Sequence, residues 1–330
     1  MKNRLVVVIG GAGYVGSELV QFLLDDGYQV RVLDTFWYGK EHLEKLQSNS
    51  LELVEGDMRD LNLIEKVLED VTDVIHLACI SNDPSFDLNP SLGKSINLDS
   101  FEPIVLTAKK AGVKRFIYAS SSSVYGVKSE SRVTEELSLE PLTDYSKFKA
   151  ECEKILLKHA DQKFVCTIVR PATVCGVSSR QRFDLSVNIL TNHAINLRKI
   201  TVFGGSQHRP NLHIKDMCRA YLTILSKPSN IIANKIYNVG SDNLTLDEIA
   251  SKVNQHVDPT IPIVHQETND LRSYRVDSEF IRSDLGFEPI YNVNDAIKDL
   301  VQAFNKNYFN SPLENSRYFN IKKMKELRLG

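Results

Sequence analysis

Long hydrophobic runs are missing from this chain of 330 residues: no apolar stretch approaches the ~20 residues needed to cross a bilayer as a helix, which excludes a helical membrane span. Excess charge is missing too. The 40 Lys and Arg are matched by 42 Asp and Glu, a formal net charge of −2, which argues against a nucleic-acid surface as the chain's main business. Cysteine is scarce and unpatterned. Cys79, Cys152, Cys166, Cys175 and Cys218 are odd in number, widely spaced and without a CxxC, so neither a disulfide framework nor a zinc site is expected, and no metal. They read as small buried hydrophobes in a reducing cytoplasm.

What is present suits a soluble globular chain large enough to bury a full core: 42% hydrophobic and 25% charged residues. The opening "MKNRLVVVIGG" sets basic residues before an apolar run, as a signal peptide does. The run is short and β-branched, however, and ends in a glycine turn instead of a small-residue cleavage site. It reads as a first strand, buried on both faces.

That strand leads into "GGAGYVGSELVQFLLDDG", with glycines at Gly10, Gly13 and Gly16 and a helix that stops at Gly27. A loop of small residues could look the same. The order strand, glycine turn, helix is what a dinucleotide site requires: a tight turn, close backbone approach to a diphosphate, and close helix packing, with Tyr14 and Val15 in the same turn. The next strand, "YQVRVLD", ends in Asp34, which can accept from both adenosine ribose hydroxyls and would repel a 2′-phosphate, favouring NAD over NADP. A third strand ends before Asp57 and Met58, positioned to flank an adenine; a fourth, "DVIHLAC", ends in Leu77 and Ala78, small enough to let a cofactor cross the strand tips. His76 reads as a packed strand-end residue. Strands alternating with helices imply a parallel, doubly wound α/β sheet of Rossmann type.

A fifth strand runs into hydroxyls, "RFIYASSSSVYG", and then comes "DYSKFKAE", which sets Tyr145 and Lys149 four apart on one helix face. Alone, such a pair is more often solvated surface than chemistry. Beside the others it is not alone: "GGAGYVG", "GDMRD", "HLA", "YASSSSVYG" and "YSKFK", at these spacings, resemble the extended short-chain dehydrogenase/reductase family, in particular its nucleotide-sugar epimerases and dehydratases. "RPATVCG", "VFGG", "RPNLHIKDM" and "YNVGSDNLTLDEIA" extend the resemblance over nearly the whole chain.

The resemblance implies roles. Tyr145 is the acid/base, Lys149 holds the cofactor ribose and lowers the tyrosine pKa, and Ser121 hydrogen-bonds the reacting oxygen. A free tyrosine near pKa ~10 is a poor base at neutral pH, so a neighbouring cation is needed. The dehydratases carry an Asp-Glu pair after the catalytic hydroxyl residue; here Ser122 and Ser123 stand there, which disfavours elimination. A 4-epimerase acting through a 4-keto sugar is expected, with a 4-dehydrogenase or ketoreductase close behind and a non-catalytic NAD sensor as a remote alternative. The family's "RYFN" appears as "RPAT", Arg170 to Thr173, without the usual substrate asparagine. "GVSSRQRFDL", "HRPN" and "DLRSYRVD" are similar to a subgroup acting on activated heptoses and related bacterial polysaccharide sugars.

By the same resemblance, residues 1–170 form the NAD-binding Rossmann domain, with segments near 212–240 returning to it, and 171–330 a smaller, interleaved mixed α/β domain for a UDP-, GDP- or CDP-linked sugar. Asn82, Ser122, Ser123, Arg182, Asn188, Arg209, Arg272 and Tyr274 are its candidate substrate contacts; guanidinium forks suit phosphate oxygens. Asp83 and Arg275 lie beside them. Helices around "SLGKSINLDSFEPIVLTAKKAG" and "YSKFKAECEKILLKHA" resemble the family's dimer interface, with Pro103 set to start or kink the first. The tail from about Asn305 reads as a packed extension ending in a short helix, with no role in the site.

Overall fold

The run Leu5–Ile9 forms a strand because neither of its faces meets water: Val6, Val7 and Val8 are fully buried. Successive side chains go to opposite faces, Val6 and Val8 into one apolar cluster and Val7 and Ile9 into another. Each such burial contributes roughly 1.5–3 kcal/mol. The structure, a computed structural model, describes residues 4–270 and 272–329; the basic start of the chain, residues 1–3, lies outside them.

In the first half lie β1 (Leu5–Ile9), β2 (Gln29–Asp34), β3 (Leu51–Glu55), β4 (Asp73–His76), β5 (Arg115–Ala119) and β6 (Val165–Pro171). After them come β7 (Thr173–Cys175), β8 (Ile200–Phe203), β9 (His208–His213), β10 (Lys235–Val239), β11 (Asp242–Thr245) and β12 (Ile263–Gln266). One seven-stranded sheet has the order β10-β6-β5-β4-β1-β2-β3, and every pairing in it is parallel. The strand order reverses between β1 and β4, so a crevice opens there at the carboxyl ends, where ligands bind in such sheets.

Helices Tyr14–Asp25 and Ile214–Ser226 cover one face of this sheet through Leu19, Leu23, Met217 and Tyr221. The helices Leu61–Val67, Phe101–Lys110 and Asp144–His159 cover the other through Ile64, Ile104 and Leu156. Pro103 sits in the first turn of its helix, where N–H groups have no intrahelical acceptor, and a π-helical turn, Ser95–Asp99, precedes it. The sheets β11-β9-β7 and β12-β8 pack with helices Ser186–Leu197, Leu246–Val257 and Val293–Asn305 around a separate cluster that includes Phe183, Ile249 and Ile297. Among the described residues no helix is long and apolar enough to cross a membrane.

Candidate functional site

The glycine turn is built by close approach. Gly10 has φ +86°, and a Cβ there would lie 2.6 Å from the Ala78 backbone nitrogen; one on Gly16 would lie 2.5 Å from the Gly10 carbonyl oxygen. Neither position tolerates a side chain, so the backbone of β1 stays pressed against the end of β4. Helix Tyr14–Asp25 then starts at Gly13 with no side-chain cap and no acidic residue in its first turn. Its N-terminal N–H groups and positive dipole end face a cavity suited to an anion.

That cavity, open to solvent, leaves about 1260 Å³ free of protein atoms. Gly10, Gly13, Tyr14, Val15, Gly16, Asp34, Asp57, Met58, Leu77, Ala78, Tyr145 and Lys149 all line it. Asp34 accepts from the N–H groups of Ala12 and Phe36, both at 2.9 Å, while burial raises its carboxyl above the usual range. Asp57 is held below that range by its hydrogen bonds to Arg59. The loop after β4 is pinned by the buried Asn97, whose amide bonds the Ile80 N–H at 2.8 Å and its carbonyl at 2.9 Å.

The Tyr145 helix begins in a capping box, Thr143 and Ser146 exchanging side-chain and backbone bonds, worth about 1 kcal/mol. Its first two turns therefore sit at the end of β5. Lys149 is buried and donates to the Ala119 carbonyl at 2.6 Å, with its ammonium 5.9 Å from the centre of the Tyr145 ring. The Ser121 hydroxyl lies 2.8 Å from that of Ser123 and acts on Tyr145 as a neighbour that lowers its pKa. Burial raises the Tyr145 pKa, the neighbouring Cys79 and Asp83 add to the rise, and Arg182 and Ser121 act against it. In the chain by itself, then, Tyr145 is protonated at neutral pH.

On the expected substrate side the structure departs from the sequence reading. Asn188 is fully buried: its oxygen accepts from Gly176 N–H at 3.0 Å, and its nitrogen donates to the Tyr14 hydroxyl and the Arg182 carbonyl. It holds a loop together, with both its amide N–H groups already used. Arg182, placed with the substrate by sequence, lines the same cavity as the glycine turn and pairs with Asp184 at 2.8 Å. Arg209 and Arg272 both bind Asp270, and Arg272 also reaches Asp83 at 2.5 Å. Burial would raise the Asp270 pKa, but the Arg272 fork and the Arg209 charge outweigh it and hold Asp270 at about 2. Ser122 lies 3.3 Å from the Tyr274 hydroxyl, Asn82 donates to Asp184, and Arg275 meets His208. His76 is packed among Phe101, Phe116 and Tyr118.

Several cavity residues escaped the sequence reading: Trp37, Tyr38, Cys79, Arg180 and, from the tail, Asn320. Arg180 lies over the Tyr38 ring at 3.6 Å and donates to Asn320 at 2.7 Å. Burial lowers its pKa to about 10, so it is still charged at neutral pH. The two tandem arginines of "RQR" were the signal available in sequence; Asn320 had none.

Residues 6–240 match the model of the NAD dependent epimerase/dehydratase family. Relatives include UDP-glucose 4-epimerase of Lactobacillus helveticus, 29% identical over 316 residues that span 88% of this chain and 94% of that protein. The dTDP-D-glucose 4,6-dehydratase of Mus musculus is 27% identical over 330 residues, 93% of this chain and 90% of that protein. Among solved structures, DesIV, a dTDP-glucose 4,6-dehydratase from Streptomyces venezuelae with NAD bound, aligns with a TM-score of 0.84 at 25% identity, covering 94% of this chain and 100% of that one. The family match runs from within β1 to just past β10, taking in the seven-stranded sheet, the glycine turn and the Tyr145 helix: the chain belongs to the NAD-dependent epimerase/dehydratase family.

Proposed function

We propose that this protein is an NAD-dependent nucleotide-sugar 4-epimerase that works through a transient 4-keto sugar. The observation that carries the reading is the grouping of Tyr145, Lys149 and Ser121 at the end of β5, followed by Ser122 and Ser123 and not by carboxylates. The cavity fits a dinucleotide: an uncapped helix N-terminus, a turn that a Cβ would fill, and a carboxylate at the tip of β2. The glycine turn would take the diphosphate, Asp34 the adenosine ribose, Asp57 and Met58 the adenine edge, and Lys149 the second ribose. When bound, NAD supplies a hydride acceptor for the sugar C4 carbon.

Tyr145 as phenolate takes the proton of the C4 hydroxyl, and Ser121 hydrogen-bonds the same oxygen as it becomes a carbonyl. With NAD bound to accept the C4 hydride and to return it to the other face of the ketone, the Tyr145 hydroxyl would give the proton back to the same oxygen, and no net oxidant would be consumed. The Tyr145 pKa, raised by burial in the chain alone, has to be lowered for this, and the Lys149 ammonium and a positively charged nicotinamide are the groups to do it.

A second reading is oxidation or reduction at C4 with the ketone released or taken up. It is favoured by the Arg170–Thr173 segment, which carries no side-chain amide and whose Arg170 is turned into a buried pair with Glu153 at 2.6 Å. We also propose a homodimer through helices Phe101–Lys110 and Asp144–His159, where Leu106 is exposed, an interleaved two-domain division near residue 170, and a place in bacterial-type polysaccharide sugar synthesis.

The test is to incubate the purified protein with UDP-, GDP- and CDP-sugars, without and with NAD, following absorbance at 340 nm and product stereochemistry by NMR. Inverted sugar without net NADH is expected. Net NADH or a trapped 4-keto sugar would establish the second reading, and no turnover despite bound NAD would leave a sensor.

A further inference from the structure

The family match ends at residue 240, yet Asn320 lines the dinucleotide cavity. The segment that carries it is anchored on both sides of the crevice. On the β2 side, Arg317 donates to the Tyr38 carbonyl at 3.1 Å and pairs with Glu41 at 3.0 Å. On the β4 side, Asn320 donates to the Ser81 hydroxyl at 3.0 Å, Met324 is buried with Ile80 and Phe86, and Asn89 donates to the Leu329 carbonyl at 2.9 Å. Since β1 lies between β2 and β4 in the sheet, a chain tied to both loops passes across the glycine turn.

Beneath this strap stand two buried guanidinium groups. Arg180 is 4% exposed and Arg182 8%, and the Arg180 Nε and Arg182 Nη2 atoms are buried without a hydrogen-bond partner among the described residues. Arg182 has Asp184 as counter-ion. Arg180 has a neutral partner in Asn320 and an aromatic face in Tyr38; among the described residues no carboxylate pairs with it directly. Asp184 and Asp34 act on Arg180 only from a distance, and a buried cation with an orphaned donor and no directly paired carboxylate is costly unless an anion arrives. The other wall of the same cavity is the uncapped helix N-terminus at Gly13, which also attracts an anion.

We propose that Arg180, with Arg182, grips the cofactor diphosphate from the side opposite the glycine turn, and that the C-terminal strap, through Asn320, holds Arg180 in that position. The cofactor is thus held between two walls, one of them braced by the C-terminal segment that carries Asn320. The proposal rests on the reading of this cavity as the NAD site. A nucleotide-sugar also carries a diphosphate, and the glycine turn and Asp34 in the same cavity favour the cofactor's.

The chain's one tryptophan, Trp37, lines the cavity and reports binding through its fluorescence. Cofactor-stripped parent, Arg180→Gln and Asn320→Ala proteins, each checked for native circular dichroism, are titrated with NAD, with adenosine, which has no phosphate, and with UDP. Arg180→Gln is expected to weaken NAD by about 10–100-fold, to leave adenosine and UDP within about twofold, and to flatten the salt dependence of NAD binding. Asn320→Ala is expected to weaken NAD by about 3–10-fold with the same selectivity, and decides the matter if Arg180→Gln does not fold. Unchanged NAD affinity, an equal loss for adenosine, or a loss for UDP alone would overturn the proposal. Failure of the parent to bind NAD would instead overturn the reading of the cavity.

Discussion

The Lys149 ammonium donates to the Ala119 carbonyl at 2.6 Å, which ties the second turn of the Tyr145 helix to the last residue of β5. This bond sets the charge beside Tyr145 in a buried position before any ligand is present. It also leaves ammonium donors to spare, since a lysine has three.

Replacing either partner should therefore separate chemistry from binding. Tyr145→Phe is expected to lower kcat by about 10²–10⁴-fold while NAD affinity holds, because the ring stays and only the proton carrier is lost. Lys149→Met should weaken both. Because the phenolate is the active base and burial raises its pKa, kcat/KM should climb with pH up to that pKa, and in Lys149→Met the climb should shift to higher pH. Steady-state pH profiles of the two variants check this; a profile that does not move in Lys149→Met would remove the charge from the account.

Two glycines with the same backbone angle should respond differently to alanine. Gly10 and Gly112 have φ +86° and +84°, but a Cβ on Gly10 meets the Ala78 backbone at 2.6 Å, whereas one on Gly112 meets nothing within 4 Å. Gly112→Ala is expected to cost only the left-handed strain, about 1 kcal/mol by urea unfolding, with NAD affinity unchanged. Gly10→Ala must push β4 from β1 and should abolish measurable NAD binding by calorimetry.

These glycines show why the first half was legible in sequence. The apolar strands and the turn are local patterns, each carried within about twenty residues, and physical constraint leaves few residue types able to fill them. Asn320 and Arg180 are 140 positions apart and obey no local pattern, so only the folded chain brings them together. Asn188 shows the converse: the resemblance offers it to a ligand, while in the fold both its N–H groups already donate, to the Tyr14 hydroxyl and the Arg182 carbonyl. The arginines of the substrate side suit phosphate oxygens by their forks, but in the fold Arg209 pairs with Asp270 and Arg272 with Asp270 and Asp83, and the Arg209–Asp270 and Arg272–Asp83 pairings join distant parts of the chain.

Arg170 and Glu153 form an ion pair with both side chains 4% exposed, and Glu153 also accepts from the Ser120 hydroxyl at the end of β5. Removing one member leaves the other charged, buried and alone. Glu153→Ala is expected to lose about 3–5 kcal/mol of stability in urea unfolding, while the double replacement Arg170→Met with Glu153→Leu should lose much less. A double variant no better than the single one would mean that Ser120 and Tyr125, which share the network, carry the effect.

His76 gives the fold an acid sensitivity that can be removed. Both ring nitrogens are buried without a hydrogen-bond partner among the described residues, and three aromatic rings surround it. Burial, with the Lys149 charge adding to it, lowers its pKa to about 3, against about 6.5 in an unfolded chain. Between those values the unfolded state binds a proton that the folded state refuses, so stability falls as pH falls, by about 1.4 kcal/mol per pH unit for this group. Above pH 6.5 neither state is protonated there and the contribution is flat. In His76→Phe, which keeps a flat ring among its aromatic neighbours, the dependence of unfolding free energy on pH between 6 and 4 should be shallower by about one proton. His42, lowered to about 4 chiefly by burial, has the same sign and should keep a residual slope in that variant. Urea unfolding at half-unit pH steps reads both, and parallel curves for parent and variant would show that His76 is not the group being titrated.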